Sequence, residues 1–159
     1  MITLYLDMDG VLADFNKEYT KYDPLKEDRK KFQSAVMEHR IFEKLDFMPD
    51  TQELLNHVSK LKGINIEILT SMGTFRTEQG EAAKSQKLKW LAEKNIPYRA
   101  NFSRSKEEKA KWATPKSILI DDSVGCIGPF IEAGGRGILH FNSSETIRLL
   151  DATLSQLMG

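Results

Sequence analysis

The first fifteen residues constrain this chain most. Met1–Leu6 reads Met-Ile-Thr-Leu-Tyr-Leu, an apolar, β-rich run with no room for a helix, and so predicts a buried strand. It runs straight into Asp7-Met8-Asp9-Gly10. Two carboxylates at i and i+2 just past a buried strand are costly unless something compensates them. A divalent cation does so, and hard oxygen ligands of this kind suit Mg²⁺. Gly10 lets the backbone turn tightly where a phosphate approaches. Asp and Gly are also ordinary turn residues at strand ends, so the rest of the chain decides between the two meanings.

The totals narrow the field. A length of 159 residues fits one domain with a real core and a small insertion. Lys plus Arg equals Asp plus Glu at 23 each, which argues against a broad electrostatic footprint for nucleic acid. The one cysteine, Cys126, has no internal disulfide partner, which fits a reducing compartment. There is neither a signal-like leader nor an apolar run of about 18 residues. A soluble, cytoplasmic protein with no membrane partner is expected.

After Phe15 the character changes. Residues 16–40 are dense in charge with few apolar positions. Leu25, Phe32 and Val36, seven and four apart, give one packing face to an otherwise wet helix, and Pro24 marks a helix start or break. The stretch from 14 to about 48 is too long for a plain crossover helix, so two helices forming a small lid are expected. Asp50, with Glu53 three residues on, is placed to cap the next helix, whose buried stripe is Leu54, Leu55, Val58 and Leu61.

Beyond it, strand and helix alternate. Ile64–Leu69 is a second strand, ending in Thr70-Ser71. A helix from about Thr77 to Lys94 packs through Ala83, Trp90 and Leu91, and Pro97–Phe102 is a short third strand. Ser117–Ile120 is a buried strand ending in Asp121-Asp122. A last strand falls within 131–141, and Asn142 caps a final helix buried through Ile147, Leu150, Leu154 and Leu157. This alternation predicts an α/β, Rossmann-like parallel sheet with helices on both faces and a small helical cap inserted after the first strand. Residues 1–13 and 49–159 form the core, and 14–48 the cap. The acids and Thr70 then gather at carboxyl ends of strands, where open α/β sheets bind ligands. A hydroxyl there is placed to hydrogen-bond a phosphoryl oxygen. His57, His140, Cys126 and Trp90 read as surface or packing residues, and Arg76 as either an anion contact or a solvated charge.

The string Asp7-Met8-Asp9-Gly10-Val11-Leu12-Ala13-Asp14-Phe15 resembles motif I of the haloacid dehalogenase (HAD) superfamily of phosphotransferases. More narrowly, it resembles the 5'(3')-deoxyribonucleotidase branch. Thr70 resembles motif II, with the Thr-Ser pair typical of that branch, and Ile118-Leu119-Ile120-Asp121-Asp122 resembles motif IV. Motif III is one lysine upstream of motif IV. Here Arg104-x-Lys106 favours Lys106, whereas the Lys106-x-x-Lys109-Ala110 pattern before an aromatic favours Lys109. Lys109 is preferred, with the choice left open.

The resemblance implies hydrolysis of a phosphomonoester through an aspartyl-phosphate. Asp7 is the nucleophile, and Asp9 protonates the leaving oxygen and then activates water. Thr70 and Lys109 carry the equatorial oxygens, while Ser71 and Lys106 contact the substrate, expected to be a deoxynucleoside monophosphate. Mg²⁺ is held by Asp7, the Asp9 carbonyl and the Asp121/Asp122 pair, with either of the two as the direct ligand. The cap departs from that branch: it is short and lacks the adjacent tryptophans that relatives place near the base.

Other readings stand beside this one: a phosphatase for another small ester or a nucleic-acid 3'-phosphate, and an idle HAD-like binding module. The neutral charge weakens the nucleic-acid version. Retention of every acid weakens the idle module. A receiver-type signalling domain places its acid pair early and its nucleophile mid-chain, the reverse of the order here. Completion of the site by a second copy, in a homodimer, also stays open.

Overall fold

The computed structural model describes residues 1–74 and 76–159. Five parallel strands, β1 (Ile2–Leu6), β2 (Ile64–Ser71), β3 (Arg99–Ser103), β4 (Ser117–Asp121) and β5 (Arg136–Leu139), lie in the order β3-β2-β1-β4-β5. The first strand is therefore the central one. Leu4 is opposite Ile66 on one side and Ile118 on the other, which explains why its sequence is so apolar. The α/β, Rossmann-like architecture expected from the alternation is the one observed.

The order also places the helices. The chain steps from β1 through β2 to β3 in one direction, then returns across the sheet to β4 and β5. Right-handed crossovers put the first two connections on one face and the later ones on the other. Accordingly α3 (Thr51–Ser59) and α4 (Thr77–Glu93) bury Leu54, Val58, Ala83 and Trp90 against Leu4, Leu6, Ile68 and Ile120. On the opposite face α5 (Val124–Glu132) packs Cys126, Ile127 and Phe130 on Leu69 and Leu119. The final helix, α6 (Ser143–Met158), returns to the first face beside α3. Progress across the sheet reverses between β1 and β4, and that switch point opens a crevice at their carboxyl ends.

The insert after β1 holds α1 (Phe15–Tyr19), α2 (Asp28–Met37) and a 3-10 turn at Ile41–Glu43. Its two stalks are hydrogen-bonded to each other: Asp14 N–H donates to the Asp46 carbonyl at 2.8 Å, and Met48 N–H to that of Leu12 at 3.1 Å. Ala35, Val36, Ile41, Phe42 and Leu45 are buried in the same core as the sheet. From α4, the Gln86 side chain donates to the Val36 carbonyl at 2.8 Å and the Trp90 indole to that of Leu45 at 2.7 Å. Trp90 is thus a core residue with its one donor satisfied.

Two local expectations fail. Leu25 does not join the packing face of α2; it is 93 % exposed, because Asp23 Oδ1 accepts its N–H in a turn through Pro24 before the helix begins. Asp50 stands at the head of α3 without capping it. Its carboxylate instead accepts from Ser143 N–H at 2.6 Å, tying the start of α6 to that of α3. Asn142 does cap α6, accepting from Glu145 N–H at 2.8 Å. Among the described residues no helix is long and apolar enough to cross a membrane.

Candidate active site

The loop leaving β1 is wound tightly. The N–H groups of Leu12 and Ala13 both turn back to the Met8 carbonyl, at 2.8 and 2.9 Å, and Gly10 takes φ +87°. A Cβ at residue 10 would fall 2.0 Å from Asp122 Oδ2. Glycine therefore allows both the left-handed turn and the approach of the β4 acids to the β1 loop. Across this loop, Thr51 Oγ1 donates to the Leu12 carbonyl at 2.8 Å, pinning it to α3.

Asp7 and Asp121, over a hundred residues apart, meet at the switch point, and Lys109 joins them. From the 3-10 stretch Glu107–Trp112, its Nζ donates to Asp7 Oδ1 at 2.9 Å and to Asp121 Oδ2 at 2.7 Å. All three side chains are almost fully buried. Lys106 is exposed on the rim of the crevice. Each of Asp7, Asp121 and Asp122 offers an oxygen within 4.8 Å of the others. Asp9 turns its carboxylate elsewhere: Oδ2 lies 3.3 Å from Lys87 Nζ, and Oδ1 is buried with no hydrogen-bond partner. Thr70 and Ser71 end β2 alongside, Thr70 buried and Ser71 half-buried.

The electrostatics follow from this crowding. Burial pushes the Asp7 carboxyl up to about 8, outweighing the pull of Lys109, with Asp121 and Asp9 adding to the rise. Burial and the charge of Asp121 push Asp122 up to about 6. Burial works against the charge on Lys109, but the attraction of Asp7 and Asp121 is greater and holds its pKa above the usual lysine value. Burial also raises the Cys126 thiol to about 12, so it remains a neutral packing group beside the acids.

Four carboxylates thus face two buried ammonium groups. The convergent oxygens of Asp7, Asp121 and Asp122, and the raised pKa values of Asp7 and Asp122, fit a hard divalent cation such as Mg²⁺. The side chain of Asp9 is not in that trio; a contribution from its main-chain carbonyl is the form the resemblance implied.

Two connected cavities meet at Asp9. One, of about 630 Å³, contains the acids, Thr70 and Lys109. The other, of about 320 Å³, is walled by Phe15, Phe32 and Phe42 of the insert and by Met72, with Arg104 and Lys106 on its lip. Asp9, Phe15, Ser71 and Lys106 line both. Arg76 is exposed and lines a further cavity beyond this lip, with Arg29 and Asp28.

Sequence reasoning missed Lys87. The signal was present: Lys87 sits four residues after Ala83 and three before Trp90, on the buried stripe of α4. A lysine inside an apolar stripe is an anomaly that asks for a buried partner.

No protein-family model matches the chain, and no curated protein matches it in sequence. Solved structures do match. A hydrolase from Streptococcus pneumoniae TIGR4 aligns with TM-score 0.61 and 16 % identity over 94 % of this chain and 97 % of its own. A hydrolase from Pseudomonas syringae aligns with TM-score 0.57 and 15 % identity over 86 % of this chain and 82 % of its own. A D,D-heptose 1,7-bisphosphate phosphatase from Burkholderia thailandensis gives TM-score 0.51 and 14 % identity over 94 % and 85 %. The class is set by these: the chain has the α/β fold that these hydrolases share.

Proposed function

We propose that this chain is a Mg²⁺-dependent HAD-type phosphomonoester hydrolase acting through an aspartyl-phosphate on Asp7. The observation that carries this reading is the buried Lys109 bridge between Asp7 and Asp121, set beside a second acid that the metal-fitting trio does not use. The Asp7 carboxylate attacks phosphorus while the bond to the leaving oxygen breaks and Asp9, as the carboxylic acid, gives that oxygen its proton. Asp9, now a carboxylate, takes a proton from the water that attacks phosphorus in the second step, releasing phosphate and restoring Asp7. Lys109 and the Thr70 hydroxyl face the phosphoryl oxygens, where fixed donors in a buried site favour the transition state. Asp7, Asp121 and Asp122 would hold Mg²⁺, which would supply neutralisation of the charge on nucleophile and phosphate.

The cap, 14–48, supplies the chamber beside Asp9, over a core of 1–13 and 49–159. Its three phenylalanines suit a flat leaving group, which together with the motif I and Thr-Ser resemblance supports a 5'(3')-deoxyribonucleotidase of the cytoplasm. A second reading rests on Arg104 and Lys106 at the lip, with Arg29 and Arg76 beyond: these cations suit a substrate with a second anionic group.

The test is phosphate release from deoxy- and ribonucleoside monophosphates, a nucleoside bisphosphate, sugar mono- and bisphosphates and a 3'-phosphorylated oligonucleotide, each with Mg²⁺ and with EDTA. Mg²⁺-dependent release, reduced on the order of 10⁴-fold or more by Asp7→Asn, is expected. Deoxynucleotides should rank first. Release that survives Asp7→Asn overturns the mechanism, and a ranking led by bisphosphates favours the second substrate reading.

A further inference from the structure

The cavity beyond the lip, of about 530 Å³, is left unused by the proposed chemistry. It lies where two helices begin: Arg29 is in the first turn of α2, and Arg76 directly precedes α4. Neither N-cap residue, Glu27 or Arg76, caps its helix through its side chain. First-turn N–H groups and the positive ends of two helix dipoles therefore stand at this cavity. A separate observation points to a ligand. Gln79, in the first turn of α4, is 8 % exposed and lines the cavity, yet among the described residues its amide makes no hydrogen bond. Nor is that amide sealed in, because Asp9 Oδ1 is the one buried side-chain polar atom without a partner among the described residues. An amide taken from bulk water with no partner costs free energy unless something fills that place. Three cations, Arg29, Arg76 and Lys106, line the cavity against one carboxylate, Asp28, which accepts from the Tyr19 hydroxyl at 3.1 Å.

We propose that this cavity binds a second phosphate group of the substrate, and that the substrate is a nucleoside bisphosphate. Lys106 lines the acid cavity, the aromatic chamber and the outer cavity alike, so the three meet around one residue. The chamber and the outer cavity also share Phe32, Gly73 and Thr74. A ligand that fills all three has three arms leaving one centre. A nucleoside bisphosphate has that form, since its sugar carries one flat base and two phosphates. One phosphate meets Asp7 and Lys109, and the base lies among the rings of the chamber. The other phosphate takes Arg29, Arg76 and the Gln79 amide. Guanidinium groups suit it because each donates in a planar pair. Gly73 keeps the shared wall thin: it takes φ +75°, and a Cβ there would stand 3.4 Å from the Phe32 ring. This inference rests on the phosphatase reading above and joins its two substrate readings in one molecule.

Binding is measured by calorimetry with Mg²⁺ on the Asp7→Asn protein, in which the ligand is not consumed. The probes are 2'-deoxyadenosine 3',5'-bisphosphate and the two corresponding monophosphates. The bisphosphate should bind on the order of 10²-fold more tightly than either monophosphate. That advantage should fall about tenfold or more when Arg29→Gln and Arg76→Gln are combined, and about 3–10-fold in Gln79→Leu. Both arginines are exposed, so the double variant tests the site even where Gln79→Leu does not fold. Equal affinity for the three probes overturns the proposal, as does an advantage that survives the double variant. Inorganic phosphate is the remaining arm. If it raises the affinity for a monophosphate to that of the bisphosphate, the cavity serves a free anion and the substrate assignment falls. Phosphate release by the wild type is scored separately. Release from esters without a bisphosphate advantage keeps the phosphatase reading and ends this one. A bisphosphate advantage lost in the double variant, with no release from any ester, removes the phosphatase reading and leaves the cavity a phosphate site.

Discussion

The two cavities that meet at Asp9 are built in opposite ways. The acid cavity stands on the ends of central strands, and its acids and lysines are held by partners distant in sequence, Lys109 on Asp7 and Asp121, Lys87 on Asp9 and Thr70. The aromatic chamber stands on the insert. There Phe15 stacks on Tyr19 at 4.9 Å and on Phe42 at 5.6 Å, and Phe32 sits edge-on to Phe42. Charged pairs removed from water are costly to disturb, whereas stacked rings yield in increments of about 0.5–1.5 kcal/mol. On the proposed function, the contrast teaches where change is tolerated: the sheet would fix the chemistry, and the insert would adjust the choice of substrate.

The comparison breaks most visibly at Lys109. Lys109→Met leaves Asp7 and Asp121 buried and facing each other without their shared ammonium. Removing one partner of a buried ion pair costs about 3–5 kcal/mol, and a large loss of thermal stability in EDTA is expected. Turnover should fall on the order of 10³-fold, as for a lost charge-stabilising donor. Excess Mg²⁺ should recover part of the melting temperature but little of the rate, because the ammonium's position toward the phosphoryl group is not replaced. A folded, active Lys109→Met protein ends the claim that this cavity tolerates no change.

Lys109 and Lys87 also show how much of the site was legible in the sequence. The fold was readable because an apolar strand, a long insert and the later strand–helix alternation leave few topologies once crossovers are right-handed. Asp7, Asp9, Thr70 and Asp121 were readable because each lies at or just past the carboxyl end of an apolar strand. The two lysines were harder, since neither sits at a strand end. Among the lysines between Ser103 and Lys116, only burial singles out Lys109, and burial is decided by how the 3-10 stretch Glu107–Trp112 sits over β4 and α5. Lys87 was hidden in a helix whose apolar pattern was read for what it packed, not for the charge it interrupts. Leu25 failed in reverse: its spacing matched a helix face that Asp23 and Pro24 never let it join.

A smaller effect sharpens the electrostatic half of the comparison. An acid whose pKa is higher in the folded than in the unfolded chain binds protons more tightly when folded. Its contribution to stability is fully present below the unfolded value and is lost as pH rises through the folded one. Burial first, then the neighbouring acids, place Asp122 at about 6 and Asp7 at about 8. In EDTA the melting temperature should therefore fall as pH rises from 5 to about 8.5, the window those two groups span. With Mg²⁺ the slope should flatten, since the cation takes up the charge that the protons leave behind, and stabilisation by Mg²⁺ should grow with pH. A melting temperature in EDTA that climbs steadily over this window means the acids are not strained by burial.

The smallest effect belongs to the chamber. Phe15 begins α1 directly after the Asp14 cap and lines both cavities, so it reaches the acid cavity without contributing a polar group to it. Phe15→Leu keeps an apolar side chain but removes the face on which a flat group stacks. KM for nucleoside monophosphates should rise about 3–10-fold, in line with about 0.5–1.5 kcal/mol for a lost stacking contact, with kcat nearly unchanged. Glycerol phosphate, which has no ring to stack, should be turned over by wild type and variant alike. A loss shared by both substrates places Phe15 in the framework that holds Asp9 and erases the division between a fixed floor and an adjustable wall. A loss confined to the nucleotides marks the insert as the part of this fold where a new substrate preference is most readily acquired, since the acids beneath need not move.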